Sequence, residues 1–162
     1  MAELTIRVRL ATPADRDGLV QLMAEFYAES SEPFDAGLSA EAFDRILGDD
    51  GLGGVWLLEA KEETAGYVVM TLGYSMEYSG RDAFVDDLFI RAPYRRQGLG
   101  REAMNAVMEE CRRRGVRAIH LEVDRQNLAA KELYRQFGFE DKERQLLTAN
   151  LRSDQPTERA ER

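Results

Sequence analysis

Apolar and charged residues alternate from Ile6 to Leu10, the two-residue period of a short strand with one wet face. Thr12-Pro13-Ala14-Asp15 follows: a hydroxyl at the cap, a proline in the first turn and an acid near the positive end of a helix. Leu19, Leu22, Met23, Phe26 and Tyr27 then recur at helical spacing, which carries this helix to about Glu29, where Ser30-Ser31-Glu32-Pro33 breaks it. A second helix, capped by Ser39, carries Ala42, Phe43, Ile46 and Leu47 and stops at Gly48. Val55 to Glu59 and Ala65 to Leu72 are apolar, partly β-branched runs joined by the charged turn Lys61-Glu62-Glu63, the pattern of an antiparallel hairpin. A turn at Ser79-Gly80-Arg81 leads into a strand over Phe84 to Ile90. Leu99, Ala103, Ala106, Val107 and Cys111 restore the helical period, and Gly115 ends that helix after arginines that suit its negative end. A strand over Ala118 to Val123, a short helix over Leu128 to Gln136 and a final strand over Gln145 to Leu151 complete the pattern.

This order, β-α-α-β-β-β-α-β-α-β, predicts an α/β (α+β) domain in which helices pack on a mixed sheet. No repeat or linker interrupts it, so residues 1–152 are expected to form one domain and 153–162 a polar, disordered tail. Hydrophobic residues make up 44% of the 162, enough for one core between a sheet and its helices. No apolar run approaches the roughly 20 residues that cross a bilayer, and Met1 to Ile6 lack the basic-then-apolar order of a secretory signal. The lone Cys111 excludes an intrachain disulfide and reads as a small helix residue rather than a reactive thiol. Together these features predict a cytoplasmic protein without a membrane partner.

Charge changes the picture. A net charge of −8 argues against a nucleic-acid partner and favours a cationic ligand such as an amine. Yet Arg91, Arg95, Arg96, Arg101, Arg112, Arg113 and Arg114 gather into a local basic strip, which suits a compact anionic cofactor. No metal-ligand cluster and no nucleophile partnered by a histidine is present, so no metal is expected. His120 shares a strand face with Glu122 and reads as structural.

Arg95-Arg96-Gln97-Gly98-Leu99-Gly100-Arg101 lies between a predicted strand and the long central helix. The first amides of a helix lack intrahelical partners and sit at the positive end of its dipole. Glycines at 98 and 100 let an anion approach those amides, and the arginines add charge-assisted bonds. The spacing fits neither the dinucleotide fingerprint nor a nucleotide P-loop. By itself it reads equally as a phosphate cradle and as a tight turn.

Placed after Leu88-Phe89-Ile90-Arg91-Ala92-Pro93-Tyr94, this Arg-x-x-Gly-x-Gly resembles the pyrophosphate motif of the GNAT superfamily of N-acetyltransferases. Leu121-Glu122-Val123 through Asn127, Ala130, Leu133-Tyr134 and Gly138-Phe139 resembles that family's second diagnostic segment, and the two together cover about Asp86 to Phe139. The resemblance implies a mostly antiparallel sheet of six to seven strands, helices on both faces, and a splay between the two central strands. It implies that Leu88, Phe89 and Ile90 line the pantetheine arm of acetyl-CoA. It further implies that Arg95, Arg96, Gln97, Gly98, Leu99, Gly100 and Arg101 hold the phosphates, with Asn127, Ala130 and Tyr134 completing the cofactor site. A homodimer is implied by the same analogy.

Acetyl transfer to an amine needs a base for the ammonium, a donor for the carbonyl oxygen and an acid for the leaving thiolate. A main-chain N–H near Ile90 can serve the oxygen. Tyr134, neutral at pH 7, can serve the thiolate. Two bases stay open. Glu122 matches the Leu-Glu-Val of ribosomal-protein N-terminal acetyltransferases, and Asp86-Asp87 stands where polyamine acetyltransferases carry an acidic pair. Strand alternation sends Asp86 and Asp87 to opposite faces, so one of them is expected in the cleft. Phe26, Tyr27 and Glu29, with Glu25, offer aromatic faces and acids for a cationic amine. The expected function is acetyl transfer from acetyl-CoA to a small cationic amine (a polyamine, amino acid or aminoglycoside-like compound) in a ternary complex. The alternatives are acetylation of a protein N-terminus or lysine, and a non-catalytic acetyl-CoA-binding regulatory module.

Overall fold

Alternation decides which side of the sheet each helix covers. In the computed structural model, which describes residues 4–152, Val55 and Leu57 are buried with Leu19, Leu22 and Phe43, while their neighbours Trp56 and Leu58 are buried with Leu99, Met104 and Val107. A single strand thus feeds two cores, one on each face, as the two-residue period requires. The strands are β1 (Ile6–Leu10), β2 (Gly53–Ala60), β3 (Glu63–Ser75), β4 (Gly80–Ile90) and β5 (Ala118–Leu121). They lie in the order β1-β2-β3-β4-β5, antiparallel except for the β4–β5 pair. Helices α1 (Arg16–Glu29) and α2 (Ala36–Gly48) cover one face. Helices α3 (Leu99–Arg113) and α4 (Leu128–Gln136) cover the other. Among the described residues no helix is long and apolar enough to cross a membrane.

Local chemistry explains the element ends. The Asp15 carboxylate accepts the Thr12 N–H at 2.8 Å, and a short 3-10 turn over Pro13–Asp15 feeds α1. Lys61 and Glu62 both adopt left-handed backbone (φ 53° and 64°), as a two-residue hairpin turn between twisted strands demands. The second helix starts earlier than predicted: Asp35, not Ser39, is its cap, accepting the Leu38 N–H at 2.9 Å. Ser39 is instead buried inside the helix.

The sheet has five strands among the described residues, fewer than the six to seven expected. Gln145 to Leu151 pairs with no strand among the described residues, and the fifth strand ends at Leu121 rather than Val123. The tail predicted at 153–162 lies outside the described residues.

Two departures from ideal pairing shape the centre of the sheet. Val69 pairs with Asp87 and Met70 with Val85, so Asp86 is an extra residue in β4, a bulge. Before it, Ala83 and Val85 face the α3 core; after it, Phe89, of the same parity, faces the α1 core. Beyond Val85↔Leu121 the parallel ladder ends, while β4 runs on to Ile90. β4 and β5 therefore part on one side, which is the splay the resemblance implied, although β5 is an edge strand among the described residues.

Candidate active site

The loop after β4 is built to present amides. Arg96 (φ 62°) and Gly98 (φ 90°) are both left-handed, and they flank Gln97 so that successive N–H groups turn toward one side. The first intrahelical bond of α3 is donated by Glu102 to the Gly98 carbonyl at 3.1 Å. From Arg96 through Arg101 no main-chain N–H has a partner among the described residues. This run sits on the positive end of a helix extending to Arg113, which is the electrostatic setting of an anion site. Gly98 has open space where a Cβ would stand, with nothing nearer than the Ile6 methyl at 3.9 Å. Gly100 serves packing instead: a Cβ there would stand 3.1 Å from Leu133, so glycine lets α4 close against the start of α3.

The arginines divide their roles. Arg91 binds Glu25 through Nε and Nη2 at 2.8 and 2.9 Å, and Arg95 binds Glu29 at 2.7 Å and the Ile90 carbonyl at 2.8 Å. Glu25 and Glu29 lie one turn apart on α1, facing Arg91 and Arg95, so two matched ion pairs pin α1 to the loop. Arg101 donates to Gln136 and lies over the Phe137 ring, and Arg113 and Arg114 both hold Glu110. Most of the basic strip therefore has partners of its own. Arg96, exposed and without any hydrogen bond or ion pair, is the loop cation left for an incoming anion.

Where the central strands part there is a cleft of about 190 Å3 lined by Phe26, Asp86, Leu88, Leu121, Glu122, Asn127, Ala130 and Tyr134, among others. Arg91 donates its N–H to the Ala65 carbonyl on β3 at 2.8 Å. Strand alternation then turns the main-chain groups of Leu88 and Ile90 away from β3 and toward the opening. The Ile90 carbonyl takes Arg95, which leaves the two N–H groups and the Leu88 carbonyl facing the cleft. Asn127 caps α4 by accepting the Ala130 N–H at 3.1 Å, and its side-chain NH2 stays free to donate. Tyr134 packs edge-on against Phe139, and its hydroxyl has no partner among the described residues. Burial raises the Tyr134 pKa, so the phenol holds its proton throughout the neutral range.

The bulge corrects the expectation for Asp86 and Asp87. Alternation would separate them across the sheet; the extra residue leans both toward the α1 side. Asp87 accepts the Tyr67 hydroxyl at 2.8 Å, and burial, reinforced by Asp86, lifts its carboxyl to about 6. Partial loss of hydration raises Asp86 as well, though it opens to the cleft. Tyr27, half-buried between the Phe26 and Phe34 rings, is pushed up to about 12 by burial and by the field of Asp87 and Asp86. Acids and aromatic faces thus meet beside the cleft.

Of the residues singled out in the sequence, the cleft brings together Tyr134, Glu122, Asp86, Leu88, Asn127, Ala130 and Phe26. Phe89 is buried under α1, stacked on Phe26, rather than lining the opening. Glu29 is occupied by Arg95, away from the cleft. His120 lies outside the cleft wall, bonded to Asp82 at 3.0 Å between Tyr78 and Phe84. Tyr67, which orients Asp87, escaped the sequence reading. Its signal was a tyrosine inside an apolar strand, since a buried phenol needs a polar partner.

A mixed sheet parted beside a helix-start cradle, with an acid–phenol cleft between, defines the class: an acyl-transfer fold. The model of the "Acetyltransferase (GNAT) family" matches residues 19–139. The chain belongs to this family. An integron cassette protein, HFX_CASS3, from the mobile metagenome of Cole Harbour Salt Marsh shares 40% identity at a TM-score of 0.81, covering 90% of each chain. Aminoglycoside N-acetyltransferase AAC(6')-Iy, solved with CoA, shares the fold at a TM-score of 0.78 and 16% identity, covering 93% of this chain and 97% of that one. Thialysine N-epsilon-acetyltransferase of Bos taurus is 32% identical over 89 residues, 52% of each protein. The ribosomal protein bS18-alanine N-acetyltransferase of Escherichia coli K12 is 37% identical over 60 residues, 37% of this chain and 40% of that protein. The chain spans only about half, or less, of the length of the curated relatives it matches.

Proposed function

We propose that this protein transfers the acetyl group of acetyl-CoA directly to a primary amine of a small cationic molecule, both substrates being bound together. The observation that carries this reading is the meeting of Asp86, Glu122 and Tyr134 on one cleft beside a strand, β4, that leads into the loop with the unpaired amides of Arg96 to Arg101. Those amides and Arg96 would hold the pyrophosphate. The strand edge at Leu88 and Ile90 would take the pantetheine arm and offer an N–H to the carbonyl oxygen. A carboxylate removes the ammonium proton, and the freed nitrogen attacks the carbonyl carbon. The C–S bond then breaks, Tyr134 gives its proton to the departing sulfur, and the second proton shed by the newly acylated nitrogen passes through water to restore the phenol. Asp86, Asp87, Phe26 and Tyr27 favour an amine that carries further positive charge, because paired acids beside aromatic faces stabilise a cation. AAC(6')-Iy and the thialysine enzyme, by name, act on amines of small molecules, which agrees.

Coenzyme A release across an amine panel tests this. Polyamines, diamino acids and aminoglycosides are expected to be turned over well above a neutral monoamine. No release with any small amine would overturn the reading. A second reading rests on Glu122, which stands exposed on the cleft wall without a partner, and on the likeness to the bS18-alanine enzyme. On that reading a peptide with an N-terminal alanine is the substrate, and Glu122→Gln rather than Asp86→Asn abolishes its acetylation.

The raised Asp87 carboxyl gives the pH dependence a sign. It is anionic only above about 6, so kcat/KM for a cationic amine should rise through that pH, and Asp87→Asn should flatten the rise. Stability moves the other way. Folding prefers the protonated acid, so ionisation between its ordinary pKa and about 6 costs the native state on the order of 3 kcal/mol. Asp87→Asn, which still accepts from Tyr67, should therefore raise Tm at pH 7.5 and leave it nearly unchanged at pH 4. A pH profile of kcat/KM and thermal melts at both pH values check the two signs.

A further inference from the structure

A buried tyrosine whose hydroxyl bonds to one carboxylate decides where that carboxylate points. Tyr67, on β3, is fully buried. Its ring is gripped edge-on by Phe43 of α2, 6.2 Å away between centroids, and by Phe89 of β4 at 6.4 Å. So held, the ring cannot swing, and its hydroxyl donates to Asp87 Oδ2 at 2.8 Å. Tyr67 pairs with Phe89 and Val69 with Asp87, so the hydroxyl reaches its carboxylate along the diagonal of the ladder.

That bond sets Asp87 apart from the other two acids. Asp86 and Glu122 line the cleft, but both are exposed and neither is held by a hydrogen bond among the described residues. Asp87 is half-buried between Asp86 and Leu88, each of which lines the cleft. The titratable groups around it are Tyr67 from β3, Tyr27 from α1 and Asp86 from β4 itself. Helix α2 adds only the Phe43 ring behind Tyr67, and β5 has parted from β4 after Val85↔Leu121. Among the described residues no cation pairs with Asp87, and its Oδ1 carries no bond. Burial and the charge of Asp86 make the anion a stronger base, while the phenol stabilises it in one orientation.

We propose that Tyr67 positions Asp87 as the base of the reaction, holding one carboxylate oxygen so that the other, Oδ1, takes the proton of the bound ammonium. The role rests on the acetyl-transfer reading above. An N–H bond of the ammonium breaks, an O–H bond forms on Asp87, and the electron pair stays on the nitrogen that attacks the carbonyl carbon. The proton passes from Asp87 to water once the acetylated product has left. A phenol suits this task better than an arginine would. It orients the anion without cancelling its charge, and so leaves the carboxylate basic enough to accept a proton. Without the hydroxyl, the carboxylate would turn freely and would ionise only at higher pH.

The pH profile of kcat/KM, taken with the best amine of the panel, tests this. Tyr67→Phe keeps the ring against Phe43 and Phe89 and removes only the donor. Its acid limb is expected to move up by about one pH unit, the size of one hydrogen bond to a charged acceptor. The deficit should therefore be largest on the acid side and narrow as the pH rises. In an Asp87→Asn background the same change should move no limb. A ring-fluorinated tyrosine at position 67 is a stronger donor of the same shape and should move the limb down, which decides the matter if Tyr67→Phe does not fold. A limb that stays at the wild-type pH, or a deficit equal at every pH, overturns the role while acetyl transfer stands. No turnover with any amine overturns the acetyl-transfer reading, and this role with it.

Discussion

Gly98→Glu is expected to lower the affinity for coenzyme A by at least a hundredfold, to below detection in calorimetry, while the helices still form. Two effects act together. Gly98 sits at φ 90°, where a side chain is strained by about 1 kcal/mol or more. The Glu carboxylate would also stand among the N–H groups of Arg96 to Arg101 and satisfy them itself. A bound anion would then lose those donors and meet a like charge, a combined effect of about 3 kcal/mol or more in affinity. Gly98→Ala separates the terms, because it carries the strain without the charge. It should lower Tm by a few degrees and weaken coenzyme A only several-fold. If Gly98→Glu bound coenzyme A as the wild type does, the phosphates would have to lie elsewhere, and the case for acetyl transfer would lose its anchor.

What the chain discloses before folding depends on whether the cause is local. Helix α4 was legible to the residue, since Asn127 caps it and the chain turns left-handed at Gly138 just beyond its end. The cradle was legible for the same reason, a glycine-rich turn ahead of an amphipathic helix. The bulge at Asp86 was not. It arises from the offset between β3 and β4, and nothing in Val85-Asp86-Asp87 announces it. Missing it reversed the facing of Asp86 relative to Asp87 and hid the link to Tyr67. The arginines failed differently: Arg95 reads as a phosphate ligand until Glu29, distant in the chain, is folded beside it. The spacing of four in both Glu25/Glu29 and Arg91/Arg95 was the available clue. The last strand is the opposite case: alternation over Gln145 to Leu151 was visible, yet the segment pairs with no strand among the described residues.

Tyr134→Phe is expected to reduce kcat about a hundredfold, with affinity for acetyl-CoA held within about threefold. The substitution is clean because the Tyr134 hydroxyl bonds to nothing among the described residues, so its loss leaves no buried group unpaired. The ring keeps its edge contact with Phe139, 5.8 Å between centroids, and the cleft keeps its shape. What disappears is a neutral acid facing the opening beside Ala130 and Leu88, raised by burial and so protonated at any working pH. The departing thiolate must then take its proton from water. Two signatures distinguish this role from packing. The deficit should shrink for acyl donors whose leaving thiol is more acidic, since such a thiolate needs no proton as it leaves. The low-pH limb of the rate profile, set by the carboxylate base, should persist unchanged. Steady-state kinetics with thioesters of graded leaving-group acidity, alongside a thermal melt, reads both. A variant with wild-type turnover would remove Tyr134 from the proton path and leave the thiolate to depart unassisted.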